Sequence, residues 1–183
     1  MVWIILLVVV GLLVAYAIVA YNGLIRSKNQ VENAWSQIDV QLKRRIDLIP
    51  NLVETVKAYA AHEKSTLEAV INARNAAIAA PATPSGQAAA DATVTGALRQ
   101  IFALGEAYPD LKANQNFLAL QEELSATEGR VAYARQFYND SVLAYNNKLE
   151  AFPTVFIAKM MSYDKREYFE TDEAAREVPK VQF

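Results

Sequence analysis

His62 is the chain's one histidine, and with Glu63 beside it forms the only stretch that resembles a metal-binding motif. A zinc-protease helix needs a second imidazole four residues on, so that both rings face the same way, and residue 66 is Thr. With one His and no Cys, no imidazole or thiolate cluster can be assembled, and Ser-His-Asp or Cys-His catalysis has little support. The few glycines are scattered, so there is no glycine-rich loop to cradle a phosphate. His62 is therefore expected at the surface or at a helix cap. The sequence predicts no metal, no cofactor, no small-molecule substrate and no enzymatic turnover.

A second set of polar side chains lies in or beside apolar seams. Asp39, Arg45 and Glu63 fall in the first half of the chain, Glu128 and Arg135 in the second. Paired carboxylates could act as acid and base or hold a cation. Charges inside a helical bundle, however, must pair or be costly. The stronger expectation is an interhelical polar network that fixes helix register. The triplet Lys43-Arg44-Arg45 invites a lipid-headgroup role, but it lies about 33 Å up a straight helix from Tyr21. It is expected to pair within the bundle or with another protein.

These groups have to be carried by something, and the patterning points to long helices. Residues 2–20 are an almost unbroken apolar run, and no charged side chain precedes Arg26. About 20 apolar residues in a helix span roughly 30 Å of hydrocarbon. Trp3 and Tyr21 stand near its two ends, about 27 Å apart along a helix, as interfacial aromatics do. Gly11 and Ala15 form a small-xxx-small pair through which two such helices could approach. Ala15-Tyr16-Ala17 also fits a signal-peptidase site, but the run is longer than a usual signal core and has no basic residue before it, which favours a retained anchor. Arg26 and Lys28 follow the span. The positive-inside rule then predicts an inner-membrane protein with its N-terminus outside and its bundle in the cytoplasm. Both cations are within reach of headgroups.

Behind the anchor a 3-4 spacing of apolar residues continues from Val31 through Trp35, Ile38, Leu42, Ile49, Leu52, Val56 and Val70 to Ala77. Its phase is unchanged across Pro50, which predicts a kink rather than a stop, with anchor and first bundle helix forming one rod. Residues 80–93 are expected to be the low-complexity loop, followed by a short helix at 94–107, a turn at Tyr108-Pro109-Asp110, and a second long helix at 112–152 ended by Pro153. A short piece at 154–161 is expected to pack back. The resulting expectation is an all-α protein: a transmembrane helix at 1–22, continuous with an antiparallel bundle of about four helices at 23–163, and an irregular tail at 164–183. A net charge of −2 argues against nucleic acid.

Several blocks in order resemble the LemA family of bacteria. They are Tyr21-Asn22, Ala34-Trp35-Ser36-Gln37-Ile38-Asp39-Val40-Gln41-Leu42-Lys43-Arg44-Arg45, Asp47-Leu48-Ile49-Pro50-Asn51-Leu52-Val53, Tyr108-Pro109-Asp110-Leu111-Lys112-Ala113-Asn114, and Ala134-Arg135-Gln136-Phe137-Tyr138-Asn139-Asp140. The resemblance implies a single-pass membrane helix followed by a helical bundle facing the cytoplasm, and no established reaction. A family member is associated with building magnetosome membranes, which implies membrane organisation or scaffolding. From the residues and the resemblance together, the chain is expected to be a scaffold or adaptor whose partners are the bilayer and either copies of itself or another membrane protein. The alternative is a regulatory or sensor subunit of a membrane enzyme such as a protease.

Overall fold

In the computed structural model, which describes residues 1–169, the apolar run and the heptads behind it form one helix, α1 (Val2–Lys57). It runs through Pro50, as the unbroken phase predicted. Proline has no N–H to give the carbonyl four residues back, which here belongs to Ile46. That carbonyl instead accepts from Arg74 Nε at 3.3 Å, so the helix continues without an orphaned acceptor.

Arg74 can reach Ile46 because the chain has reversed. Residues 58–63 turn back, and α2 (Lys64–Ala79) returns along α1. The expected uninterrupted helix to Ala77 is thus corrected to a helical hairpin. Nothing in Ala58-Tyr59-Ala60-Ala61 breaks a helix, and Val56, Ala60, Leu67 and Val70 stay buried across the turn. A seven-residue spacing cannot register a reversal whose two arms bury the same phase.

The expected loop at 80–93 shrinks to residues 80–83. Thr83 Oγ1 accepts from the Gly86 amide at 3.2 Å and Pro84 occupies the first helical position, so α3 (Pro84–Ala107) begins ten residues before the predicted start. A single turn, α4 (Pro109–Lys112), leads into α5 (Gln115–Glu150), where Asn114 Oδ1 caps the Phe117 amide at 3.0 Å. Then comes α6 (Thr154–Met160). Residues 164–169 have no regular structure, and residues 170–183 of the expected irregular tail lie outside the described residues. There is no strand among the described residues.

Among the described residues the chain divides into two units, residues 1–37 with 136–167 and residues 38–135 with 168 and 169. In the second unit the end of α1, α2, α3 and the start of α5 enclose Ile49, Leu52, Val56, Val70, Leu98, Ile101, Phe117 and Leu124. Phe117 closes against α3 at Gly105, where a Cβ would come within 2.8 Å of its ring. At one end of this core Asn114 Nδ2 donates to the Tyr59 hydroxyl at 2.9 Å, and the Tyr108 hydroxyl donates to Glu63 Oε1 at 2.9 Å. In the first unit the end of α5 lies antiparallel to α1, burying Leu24, Val31 and Ala34 with Tyr138, Val142, Tyr145 and Leu149.

Candidate functional sites, a bare apolar helix and a buried charge cluster

The first turns of α1 place no side chain against the protein. Residues 1–19 are all exposed, although nearly all are Val, Leu, Ile or Ala. This part of α1 is long and apolar enough to cross a membrane, and none of it is buried. A helix that is apolar on every side belongs in a protein core or in lipid, and this stretch lies outside the core of its own chain. Trp3 and Tyr21 lie exposed near its two ends. Gly11 has open space where a side chain would stand, and Ala15 is exposed a turn further on. Arg26 is exposed. Lys28, expected to face headgroups, is engaged by the chain: it lies 3.9 Å from Glu32 and over the Tyr163 ring at 5.9 Å.

Within the second unit, three of the predicted polar residues converge. Arg45 is 2% exposed, and its Nη1 donates to Asp91 Oδ1 at 2.7 Å. Its Nη2 is 3.7 Å from Glu128 Oε2. Arg135 Nη2 donates to the other oxygen of Asp91, and the Arg135 guanidinium sits 4.8 Å from the Phe169 ring centroid. Two cations and two carboxylates thereby tie α1, α3 and α5 together with balanced charge. Arg45 Nε and Arg135 Nε are buried without a hydrogen-bond partner among the described residues. The space beside Asp91, bounded by Leu42, Ile46, Ala77 and Val94, is about 10 Å³, room for one water at most. The arrangement ties three helices together.

Asp39 and Glu63 lie outside this cluster. Asp39 is exposed one position past buried Ile38. Glu63 serves the turn by accepting from Tyr108, and that hydrogen bond, with burial and the carboxylate's charge behind it, raises the Tyr108 pKa. Arg44 of the basic triplet pairs with Glu123 at 2.6 Å, and Lys43 is exposed. His62 is exposed, and no group of three His, Asp or Glu side chains is placed to hold a metal among the described residues. Asp91 is the residue that sequence reasoning missed. It falls within the expected loop at 80–93, yet Asp91, Val94, Leu98 and Ile101 repeat at helical spacing, and the alanines before it are strong helix formers.

In the first unit residues 161–167 form a strap held by main-chain contacts. Asn146 does two jobs: its Nδ2 donates to the Arg166 carbonyl at 3.0 Å, and its Oδ1 accepts from the Arg166 amide at 2.9 Å. The Tyr138 hydroxyl donates to the Glu167 carbonyl at 2.9 Å, and Arg166 reaches Glu32 at 3.5 Å.

Among known proteins, the model of the LemA family matches residues 34–183, a stretch that contains the whole charge cluster. Protein LemA of Metamycoplasma hominis is 27% identical over 159 residues, covering 85% of this chain and 71% of that protein. Magnetosome protein MamQ 2 of Paramagnetospirillum magneticum is 23% identical over 182 residues, covering 86% and 67%. Magnetosome protein MamQ of Magnetospirillum gryphiswaldense is 24% identical over 174 residues, covering 81% and 64%.

Proposed function

This chain belongs to the LemA family, and we propose that it is a membrane-anchored scaffold or adaptor, holding a helical bundle at a bilayer for protein partners or for further copies of itself. One observation carries the proposal. The start of α1 is apolar and bare on every side, and the same unbroken helix supplies the bundle with Ile49, Leu52 and Val56. Lipid is the surrounding that matches such a surface. In this reading the span lies in the inner membrane with its N-terminus outside, and the bundle faces the cytoplasm, because Arg26 and Lys28 follow the span. Trp3 and Tyr21 mark the two interfaces, and Gly11 with Ala15 gives a second copy a place to approach. The polar cluster of Arg45, Asp91, Glu128 and Arg135 serves rigidity. The protein performs no turnover of its own and needs no cofactor, nucleic acid or small molecule.

Two relatives named as magnetosome proteins support an organising role over a chemical one. The test is purification in nanodiscs with mass measurement, preceded by cross-linking in native membranes. Homo-oligomers or one discrete protein partner are expected, and monomers without any partner would sink the proposal. Recovery of a membrane protease in stoichiometric amount would replace it with the regulatory-subunit reading.

A further inference from the structure

The segment from Ala151 to Met161 carries large apolar side chains that the protein leaves uncovered. Phe152 is 81% exposed, Met160 77% and Phe156 65%. The rings of Phe152 and Phe156 meet edge to face at 5.9 Å, so they form one patch rather than isolated residues. Of α6 only Ala158 is buried. Two phenylalanines and a methionine grouped this way on a surface mark a docking face.

Its place in the first unit indicates what it docks on. Along the antiparallel pair, the tilted rings of Trp35 and Tyr138 meet with centroids 5.5 Å apart, and further along, Lys148 donates to Ser27 Oγ. Each step toward the end of α5 is therefore a step back along α1 toward the apolar run. Glu150, the last residue of α5, comes level with about Ile25 at 1.5 Å per residue, and Phe152 follows two residues beyond it. The chain then leaves through α6 and returns at Tyr163, whose ring lies under Lys28 at 5.9 Å. Both ends of the excursion are thus fixed to α1 at Ser27 and Lys28, next to Arg26, where the charged part of α1 gives way to the bare apolar part. Exposed Lys159 lies within the excursion and exposed Arg26 on the facing stretch of α1.

We propose that α6 and the residues flanking it are a second membrane contact, in which Phe152, Phe156 and Met160 enter the boundary between headgroups and acyl chains beside the span, with Lys159 and Arg26 at the level of anionic headgroups. Apolar side chains with a cation at their edge suit that boundary. The contact rests on α1 being the anchor. It gives the first unit two points of attachment, so that α1 and α5 are both held at the membrane surface.

The natural chain has no cysteine, so single cysteines can be spin-labelled without background. Full-length Val10→Cys, Phe156→Cys, Met160→Cys and Gln37→Cys proteins are reconstituted into nanodiscs containing anionic phospholipid. Collision rates of each label with oxygen and with a water-soluble nickel chelate are then measured. The expected oxygen-to-nickel ratio is highest at Val10, several-fold above Gln37 at Phe156 and Met160, and lowest at Gln37. Labels at Phe156 and Met160 that match Gln37 while Val10 is deep in lipid would overturn the second contact and leave the anchor standing. A water-exposed Val10 would remove the anchor and the second contact together. Labels at Phe156 shielded from both reagents, with spin-spin broadening between molecules, would give the patch to a second copy and overturn its assignment to lipid.

Discussion

The two units handle their apolar residues in opposite ways. In residues 38–135 Ile49, Leu52, Val56, Val70, Leu98 and Ile101 turn inward, and the one set of charges inside is matched, two arginines against Asp91 and Glu128. That is the ordinary arrangement of an apolar core with paired internal charges. In residues 1–37 with 136–167 the most apolar stretch of the protein faces outward, and so do Phe152 and Phe156, while the contacts that close the unit include Asn146 with Arg166 and Lys148 with Ser27. An exterior of this kind matches the lipid that the proposed function assigns to it. Under the proposed function the contrast corresponds to two different surroundings, lipid for the start of α1 and water for the core of residues 38–135.

If the second unit depends on balanced internal charge, removing the shared carboxylate is the most damaging single change. Asp91→Ala leaves Arg45 without its 2.7 Å partner and removes the partner of Arg135. Breaking a buried pair costs about 3–5 kcal/mol, near the lower end here because Arg135 has access to water. Thermal unfolding in nanodiscs, followed by circular dichroism, should show a large drop in midpoint for Asp91→Ala. A triple replacement with Asp91→Leu, Arg45→Met and Arg135→Met should recover much of it. An Asp91→Ala protein as stable as the parent would mean that the cluster does not hold the helices.

The corresponding change in the first unit should behave differently. Val10 is half exposed at the middle of the bare stretch. In lipid, Val10→Arg costs about 2.5–3.5 kcal/mol of insertion, whereas on a surface in water the same change would be nearly neutral. Membrane flotation should show a loss of retention, with the unfolding of the 38–135 core unchanged. Full retention of Val10→Arg in the membrane fraction would contradict the assignment of lipid to this surface.

How much of this was legible in the sequence follows from the same contrast. The apolar run, the course of α1 through Pro50 and the ends of α5 and α6 were visible because each depends on local composition or on a proline. Arg45, Glu128 and Arg135 were visible as charges beside seams, but Asp39 was misplaced because one residue of helix phase, about 100°, separates it from buried Ile38. The turn at 58–63 left no local signal, since Tyr59 and His62 are ordinary helix residues and the hairpin's cause is the core that Val56 and Val70 share. Asp91 and the start of α3 were hidden by an alanine-rich stretch mistaken for loop, although Thr83-Pro84 is a helix start. The patch on Phe152 and Phe156 could not be found without the antiparallel register, because only the pairing of Lys148 with Ser27 sets its level along α1.

A smaller effect is expected where the first unit closes on polar contacts. Asn146→Ala removes both hydrogen bonds to the Arg166 main chain and should lower the free energy of opening of residues 161–167 by about 1–3 kcal/mol. Amide exchange at Arg166 reads this directly, and exchange at Leu52 and Ile101 in the second unit should not change. Unaltered protection at Arg166 would show that the strap is held by something other than Asn146.

The smallest expected effect is alkaline, and it too separates the units. Burial raises the Tyr138 and Tyr145 pKa values, with the Arg166 charge opposing, whereas Tyr108 is raised first by its hydrogen bond to Glu63. A phenol whose folded pKa exceeds its unfolded value, about 10, contributes stability that is complete below that pH. The contribution is lost as pH rises through the folded pKa, because the unfolded chain releases its proton first. Ultraviolet titration of tyrosine ionisation should therefore show a late fraction that Tyr138→Phe diminishes. Glu63→Gln should bring Tyr108 earlier without moving Tyr138, since one shift depends on a neighbouring carboxylate and the other on exclusion from water. A Glu63→Gln protein in which both tyrosines move together would mean that the two units do not titrate for separate reasons.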